Sequence, residues 1–212
     1  MRRLLKPVFA LFFTLTAALA QAGALDAISS GDASAGVKEA LAKGADYAVS
    51  SLGKSGGFMG NDKVKIKLPG YLEKADSALR MFGMGKQADQ LVETMNRAAE
   101  NAVAEAKPIL TESIKKMSVK DAKDILTGGE DSVTQYFKRT STDQLTAKFK
   151  PVVKKETAKL KLADQYNKFA GKAASAGLVD KQNADVDSYV TQKAMDGLFL
   201  MIAEEEKKLR AN

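Results

Sequence analysis

The chain has 212 residues and a formal charge of +7, from 33 basic and 26 acidic side chains, and it contains neither cysteine nor histidine. The missing cysteine excludes a disulfide framework and a lipid-anchored leader. The missing histidine excludes Ser-His-Asp and Cys-His catalysis and every histidine-ligated zinc or haem site. An enzyme built on this chain would have to work with carboxylates, Lys, Tyr, Ser or Thr.

Arg2, Arg3 and Lys6 precede an apolar run from Val8 to Ala20, broken by Thr14 and Thr16. That run is too short for a membrane span, which needs about 20 residues. Ala20-Gln21-Ala22 places small residues where signal peptidase reads them, so cleavage is expected before Gly23. The alternative is cleavage before Gln21, after Ala18-Leu19-Ala20. Residues 1–22 are therefore expected to be a cleaved secretory signal. Residues 23–212 are expected to form a single soluble helical domain in the periplasm, with no later transmembrane segment.

Beyond the leader, apolar residues recur at three- and four-residue spacing, the helix period. The spacing predicts an all-α bundle of about eight or nine helices. The first runs from about Ser34 to Leu52, with Val37, Leu41, Ala45, Ala48 and Leu52 on one stripe and Gly53 ending it. Gly53–Pro69 is the non-helical stretch. Gly56, Gly57 and Gly60 loosen its first half, and Val64, Ile66 and Leu68 then alternate with Lys63, Lys65 and Lys67. A single strand has no partner here, so this is read as an extended segment lying apolar side down on the helices. Helices follow at about Tyr71–Phe82, Lys86–Ala106 and Pro108–Met117. A short one comes next, opened by a Ser118/Asp121 capping box and closed by Gly128-Gly129. Further helices are expected from Asp131, from Thr142 with a kink or restart at Pro151, and around Tyr166 and Phe169. The last, about Asp187–Leu209, is apolar all round at Gly197–Ala203 and should lie in the middle of the bundle. Gly197 would let a neighbouring backbone come close.

Charge is uneven along the chain. Residues 107–161 carry 13 basic against 7 acidic side chains, while the flanking stretches are near neutral. A basic middle suits phosphate-bearing envelope surfaces, but solvated lysine-rich helix faces are the plainer reading. Nucleic acid is not expected, because the chain leaves the cytoplasm and lacks a base-stacking motif.

Gly53-Lys54-Ser55 resembles the end of a phosphate-binding loop, yet the strand-before, helix-after context fails and a helix cap explains it. On the Lys86–Ala106 helix, Leu91, Val92, Met95, Ala98, Ala99, Ala102 and Val103 form a broad apolar face at 100° per residue. Asp89, Glu93, Asn96 and Glu100 line one border of that face, and Arg97 projects just beyond. This row is the candidate binding site. The competing reading is a polar rim, with Arg97 pairing to Glu93 or Glu100. Asn96 is nearly inside the apolar stripe, where an amide is costly unless hydrogen-bonded: a structural Asn96 would hold a neighbouring segment, for which the Gly53–Pro69 loop is the candidate, and a functional one would face a groove. Glu204-Glu205-Glu206 point 100° apart and are expected on a solvated surface. Tyr136, Tyr166 and Tyr189 are expected at the core edge with their hydroxyls near water. No metal site and no cofactor is expected.

Several stretches together resemble an exported bacterial family, domain of unknown function 4197. They are Gly57-Phe58 with Asn61, Met95 to Glu100, Asp121-Ala122-Lys123 with Ile125-Leu126, Thr134 with Tyr136-Phe137, Tyr189-Val190-Thr191, and Ala194 through Glu206. The resemblance runs in order along the whole mature chain. It implies a helical fold and an envelope location, and it leads one to expect a further short segment after Arg210. It supplies no activity and no catalytic residues.

Three function classes follow. The foremost is a non-catalytic binding or interaction module of the envelope, monomeric, acting on an envelope protein or ligand. The alternatives are a carboxylate-based cell-envelope enzyme and a carrier of an apolar ligand between helices.

Overall fold

The computed structural model describes residues 30–69, 80, 85–159, 164, 167, 175 and 185–211. The expected signal segment and the helices expected at Tyr71–Phe82 and around Tyr166 and Phe169 lie outside the described residues. Among those described, six helices occur and no strand. They are α1 (Ser30–Leu52), α2 (Gly85–Ala104), α3 (Ala106–Lys116), α4 (Val119–Thr127), α5 (Ser132–Thr157) and α6 (Val186–Ala211). Two of the eight or nine expected helices fall outside the described residues; over those described, seven were expected and six occur. Only Glu105 separates α2 from α3, so the described helices also count as five rods, one of them kinked.

The shortfall lies in α5, where two expected helices are one. The polar Thr-Ser-Thr run at 140–142 does not break it. The Thr140 and Thr142 hydroxyls donate to the carbonyls of Tyr136 and Lys138, one turn back, so they add to the helix rather than leave it. Ser141 faces inward and pairs Oγ to Oγ with Ser113 of α3 at 2.8 Å. Pro151 also lies inside α5 without ending it. It removes one ladder donor, while Phe149 and Val153 on either side are fully buried and hold both halves to the core.

The apolar stripe of α1 is buried throughout, as its spacing predicts. α6 contacts α1, α2 and α5, and its contact with α5 is the most extensive. Leu198, Phe199, Met201 and Ile202 of its apolar centre are buried, but Leu200 is 39% exposed. Burial is thus not complete around the helix, and the open side meets the 53–69 loop.

Helix ends show where sequence rules hold and where they are replaced. The Ser118 hydroxyl accepts from the Asp121 N–H and the Asp121 carboxylate accepts from the Ser118 N–H, the expected capping box. The Ser118 hydroxyl also donates to the Asp121 carboxylate at 2.6 Å; this bond first, then that from the Ser118 N–H and the nearby Arg139 guanidinium, hold the Asp121 carboxyl below its usual range. Asp131 sits at the start of α5 but makes no side-chain cap bond. Its place is taken by Glu206 from α6. The Glu206 carboxylate accepts from the Val133 N–H at 2.9 Å, from the Thr134 N–H at 3.0 Å and from the Thr134 hydroxyl at 3.0 Å. Arg210 pairs with it at 3.0 Å and also donates to the Ile125 carbonyl and the Ser132 hydroxyl. Glu206 is only 2% exposed, which corrects the expectation of a solvated Glu204–Glu206 surface. The reason is register. Glu206 continues the four-residue stripe Ala194, Leu198, Ile202, whereas Glu204 and Glu205 fall to the side.

The tyrosines are corrected in the same sense. The Tyr136 hydroxyl is buried and donates to the Ser113 carbonyl at 2.6 Å, and burial pushes it above the usual phenol range. Tyr189 donates to a main-chain carbonyl of the loop. Tyr166 lies outside the described residues.

Replacing Glu206 by Ala strips the start of α5 of its acceptor and leaves buried donors unpaired. A loss of about 2–4 kcal/mol is expected in urea unfolding. Glu205→Ala, one residue away, removes a partly buried side chain whose partner is the exposed Lys208 and should cost only about 0–1 kcal/mol.

Candidate functional site

The loop from Gly53 to Pro69 is the longest irregular segment among the described residues, and past its first residue the bonds that tie its main chain to the helices come from side chains. It begins where the Gly53 N–H bonds to the Val49 carbonyl at 2.7 Å and closes α1. The phosphate-loop likeness of Gly53-Lys54-Ser55 is thus a helix end. Gly56 takes a left-handed φ of +76°, a region that favours glycine. Gly57 is required for a different reason. A Cβ there would lie 2.3 Å from the Leu52 carbonyl oxygen.

These two glycines turn the chain so that Phe58 is fully buried against α6. Its receptor is Gly197. A Cβ at 197 would stand 2.7 Å from Phe58 Cε1 and 3.4 Å from Val64 Cβ. The glycine therefore admits a side chain of the loop, where the sequence suggested a neighbouring backbone.

α2 supplies the polar anchors. Glu100, only 6% exposed, accepts from the Phe58 N–H at 3.0 Å and the Met59 N–H at 3.3 Å. Asn96, fully buried, accepts from the Ile66 N–H at 2.9 Å and donates to the Ile66 carbonyl at 2.8 Å. Its second amide hydrogen goes to the Val92 carbonyl of its own helix at 2.8 Å. The loop is closed from the other side by the Tyr189 hydroxyl, 3.0 Å from the Lys67 carbonyl. Val64 and Ile66 point inward and are buried, Leu68 packs partly buried against the core, and Lys63 and Lys67 are exposed. This is the expected apolar-side-down placement.

The structure therefore divides the five-residue row. Asn96 and Glu100 face the loop. The other three remain at the surface in ion pairs. Arg97 pairs with Glu93 at 2.8 Å, and Arg80 pairs with Asp89 at 2.6 Å. The Arg80 hydrogen bond holds the Asp89 carboxyl below its usual range, the direction opposite to that of a general acid. Among the described residues no group of three or more acids converges as a metal site would require.

The row's depth was partly legible. Val92, Asn96 and Glu100 are four apart, and the last two continue an apolar stripe. Glu206 was missed, although the same four-residue spacing marks it.

A groove of about 350 Å³ runs between residues 63–69 and α6, where Tyr189, Lys193, Asp196 and Leu200 form its far wall. Lys193 is tied to Asp196 at 3.6 Å, and Asp196 also accepts from the Gln192 amide. Lys63 is tied to Glu204.

The fold and this site define an all-α protein that carries an immobilised, lysine-edged loop. The model of a family described as "Protein of unknown function (DUF4197)" matches residues 27–212, and the chain belongs to that family. No curated protein and no solved structure gives a significant match.

Asn96→Ala removes three hydrogen bonds and leaves the Ile66 peptide unpaired in the core. We expect a loss of about 1–3 kcal/mol in urea unfolding, with faster hydrogen exchange at the Ile66 amide. Arg97→Ala breaks only an exposed ion pair and should cost about 0–1 kcal/mol.

Proposed function

We propose that the protein is an exported, non-catalytic interaction module of the bacterial envelope, working as a monomer on an envelope protein. The observation that carries this reading is the double clamp by Asn96 and Glu100. Ordering irregular backbone costs about 1–2 kcal/mol per residue. A loop held this firmly presents a fixed surface to a partner, and Lys54, Lys63 and Lys67 are among its exposed side chains, with Ser55, Met59 and Asp62. Asn96 and Glu100 act on that surface from beneath, by positioning it. Asp89, Glu93 and Arg97 lie on the exposed side of the same helix and extend the contact face.

The acids of the row do not support the carboxylate-enzyme alternative. Glu100 is occupied by main-chain N–H groups, and Asp89 and Glu93 are each neutralised by an arginine. Export is supported by the basic, apolar and small-residue order of residues 1–22. The family match begins at residue 27, just past the proposed cleavage point. No described helix is long and apolar enough to cross a membrane.

Two measurements test the reading. N-terminal sequencing of the protein from an osmotic-shock fraction should begin at Gly23; intact Met1-initiated protein in the membrane fraction would overturn export. A photo-crosslinking residue in place of Arg97 should capture a discrete envelope protein in cells. Capture there should be lost in a folded Asn96→Ala variant if loop placement matters, and retained if it does not.

A further inference from the structure

The segment 65–67 has two edges. Asn96 occupies one; on the other, the Lys65 N–H bonds to the Asn61 carbonyl at 2.8 Å and the Lys67 carbonyl accepts from Tyr189, which leaves two main-chain groups open. All described peptide bonds are trans. In a trans peptide the C=O of one residue and the N–H of the next point in opposite directions. Asn96 takes both the N–H and the C=O of Ile66. The Lys65 C=O and the Lys67 N–H must therefore point away from Asn96. Neither has a hydrogen-bond partner among the described residues. The Lys67 carbonyl meets Tyr189, which lines the groove. In an extended residue the N–H lies on the same side as the carbonyl, so this second edge opens onto the groove. Lys65 and Lys67 are also without ion pairs among the described residues, whereas the lysines beside them, Lys63 and Lys193, are neutralised by Glu204 and Asp196. The far wall offers the exposed Leu200.

We propose that this groove takes an acidic peptide in extended conformation, which adds as a strand to the Lys65–Lys67 edge. This deepens the interaction-module reading and rests on it. A peptide N–H donates to the Lys65 C=O, and a peptide C=O accepts from the Lys67 N–H. Alternate carboxylates meet the two free ammonium groups, and an apolar side chain between them lies on Leu200. A phosphate-bearing surface fits less well. It offers acceptors, which would leave the Lys65 carbonyl unpaired.

The test uses the full mature chain and a fluorescent library of seven-residue peptides that alternate glutamate with varied apolar residues, read by anisotropy. Binding is expected for part of the library, and it should weaken as salt rises. N-methylation of the central amides of a binder should abolish it, because the main-chain bonds go. The double variant Lys65→Glu, Lys67→Glu should weaken it about tenfold or more, equal to about 1.4 kcal/mol. Both substitutions are on the outer side of the loop, and circular dichroism checks the fold. The Lys67 amide should exchange more slowly in the complex. Three results would overturn the proposal: no binder in the library, equal binding of the N-methylated peptide, or displacement by vesicles of anionic phospholipid as effective as by unlabelled peptide. Crosslinking separates this inference from the broader one. Capture from position 97 but not from position 67 sinks the groove and leaves the module. Capture from neither position sinks both.

Discussion

The Asn96 amide bonded to both sides of the Ile66 peptide is the interaction on which the loop, and the surface it forms, depends. An extended segment without a partner strand normally leaves its main-chain groups to water or competing contacts. A carboxamide carries a C=O and an N–H₂ side by side, so it presents to Ile66 what a neighbouring strand would present. Asparagine is specific to this task. Aspartate lacks the donor, and alanine leaves two main-chain groups unpaired in the core. The second amide hydrogen, on the Val92 carbonyl, fixes the side chain to its own helix turn, so the loop inherits the position of α2.

The same device recurs with carboxylates. Glu100 receives the Phe58 and Met59 N–H groups, and Glu206 receives those of Val133 and Thr134. In each case a side chain at a core position of one helix accepts main-chain donors of another segment that no secondary structure satisfies. Burying a carboxylate is costly unless it is paired or well hydrogen-bonded. Glu206 has both, through Arg210, and it puts negative charge at the start of α5, where the helix dipole favours it. Glu100 relies on N–H groups of the loop. The fold is therefore keyed twice to main-chain N–H groups that no helix ladder satisfies, once at each carboxylate, and a register shift of α2 or α6 would leave either buried without donors.

These anchors explain what could be read from the sequence. The apolar stripes of α1 and α2, the capping box of α4, and the alternation at residues 63–68 are periodic signals, and all three are as the spacing implies. Asn96 stood out because one polar residue interrupts a strong stripe. Glu206 did not, since it sits in a run of three glutamates whose composition suggests solvent. Only the four-residue step from Ile202 distinguishes it. The merging of two expected helices into α5 has a similar origin. Threonine and serine favour helix ends as isolated residues, but here their hydroxyls bond one turn back or to Ser113, a tertiary choice that local propensity does not contain. Gly197 was legible as a place of close approach, but its occupant, Phe58, comes from about 140 residues earlier in the chain and is fixed only by the packed fold.

An open strand edge is normally a hazard, and lysines along it are a common defence against pairing with another copy. Lys65 and Lys67 fit that role, and the defence is also a filter. Two copies meeting edge to edge would bring four unpaired ammonium groups together, while an acidic strand would bring the opposite charge. The neighbouring Lys63 and Lys193 are neutralised within the chain, so along this groove, among the described residues, the unbalanced charge falls on the two lysines that each keep one open main-chain group. Locking by Asn96 sharpens the filter further. A loop already ordered gives up little entropy on binding, so the difference between repelled and attracted strands is not diluted by the cost of ordering the segment. The buried amide and the exposed lysines thus belong to one arrangement, in which the core side fixes the edge and the solvent side decides what pairs with it.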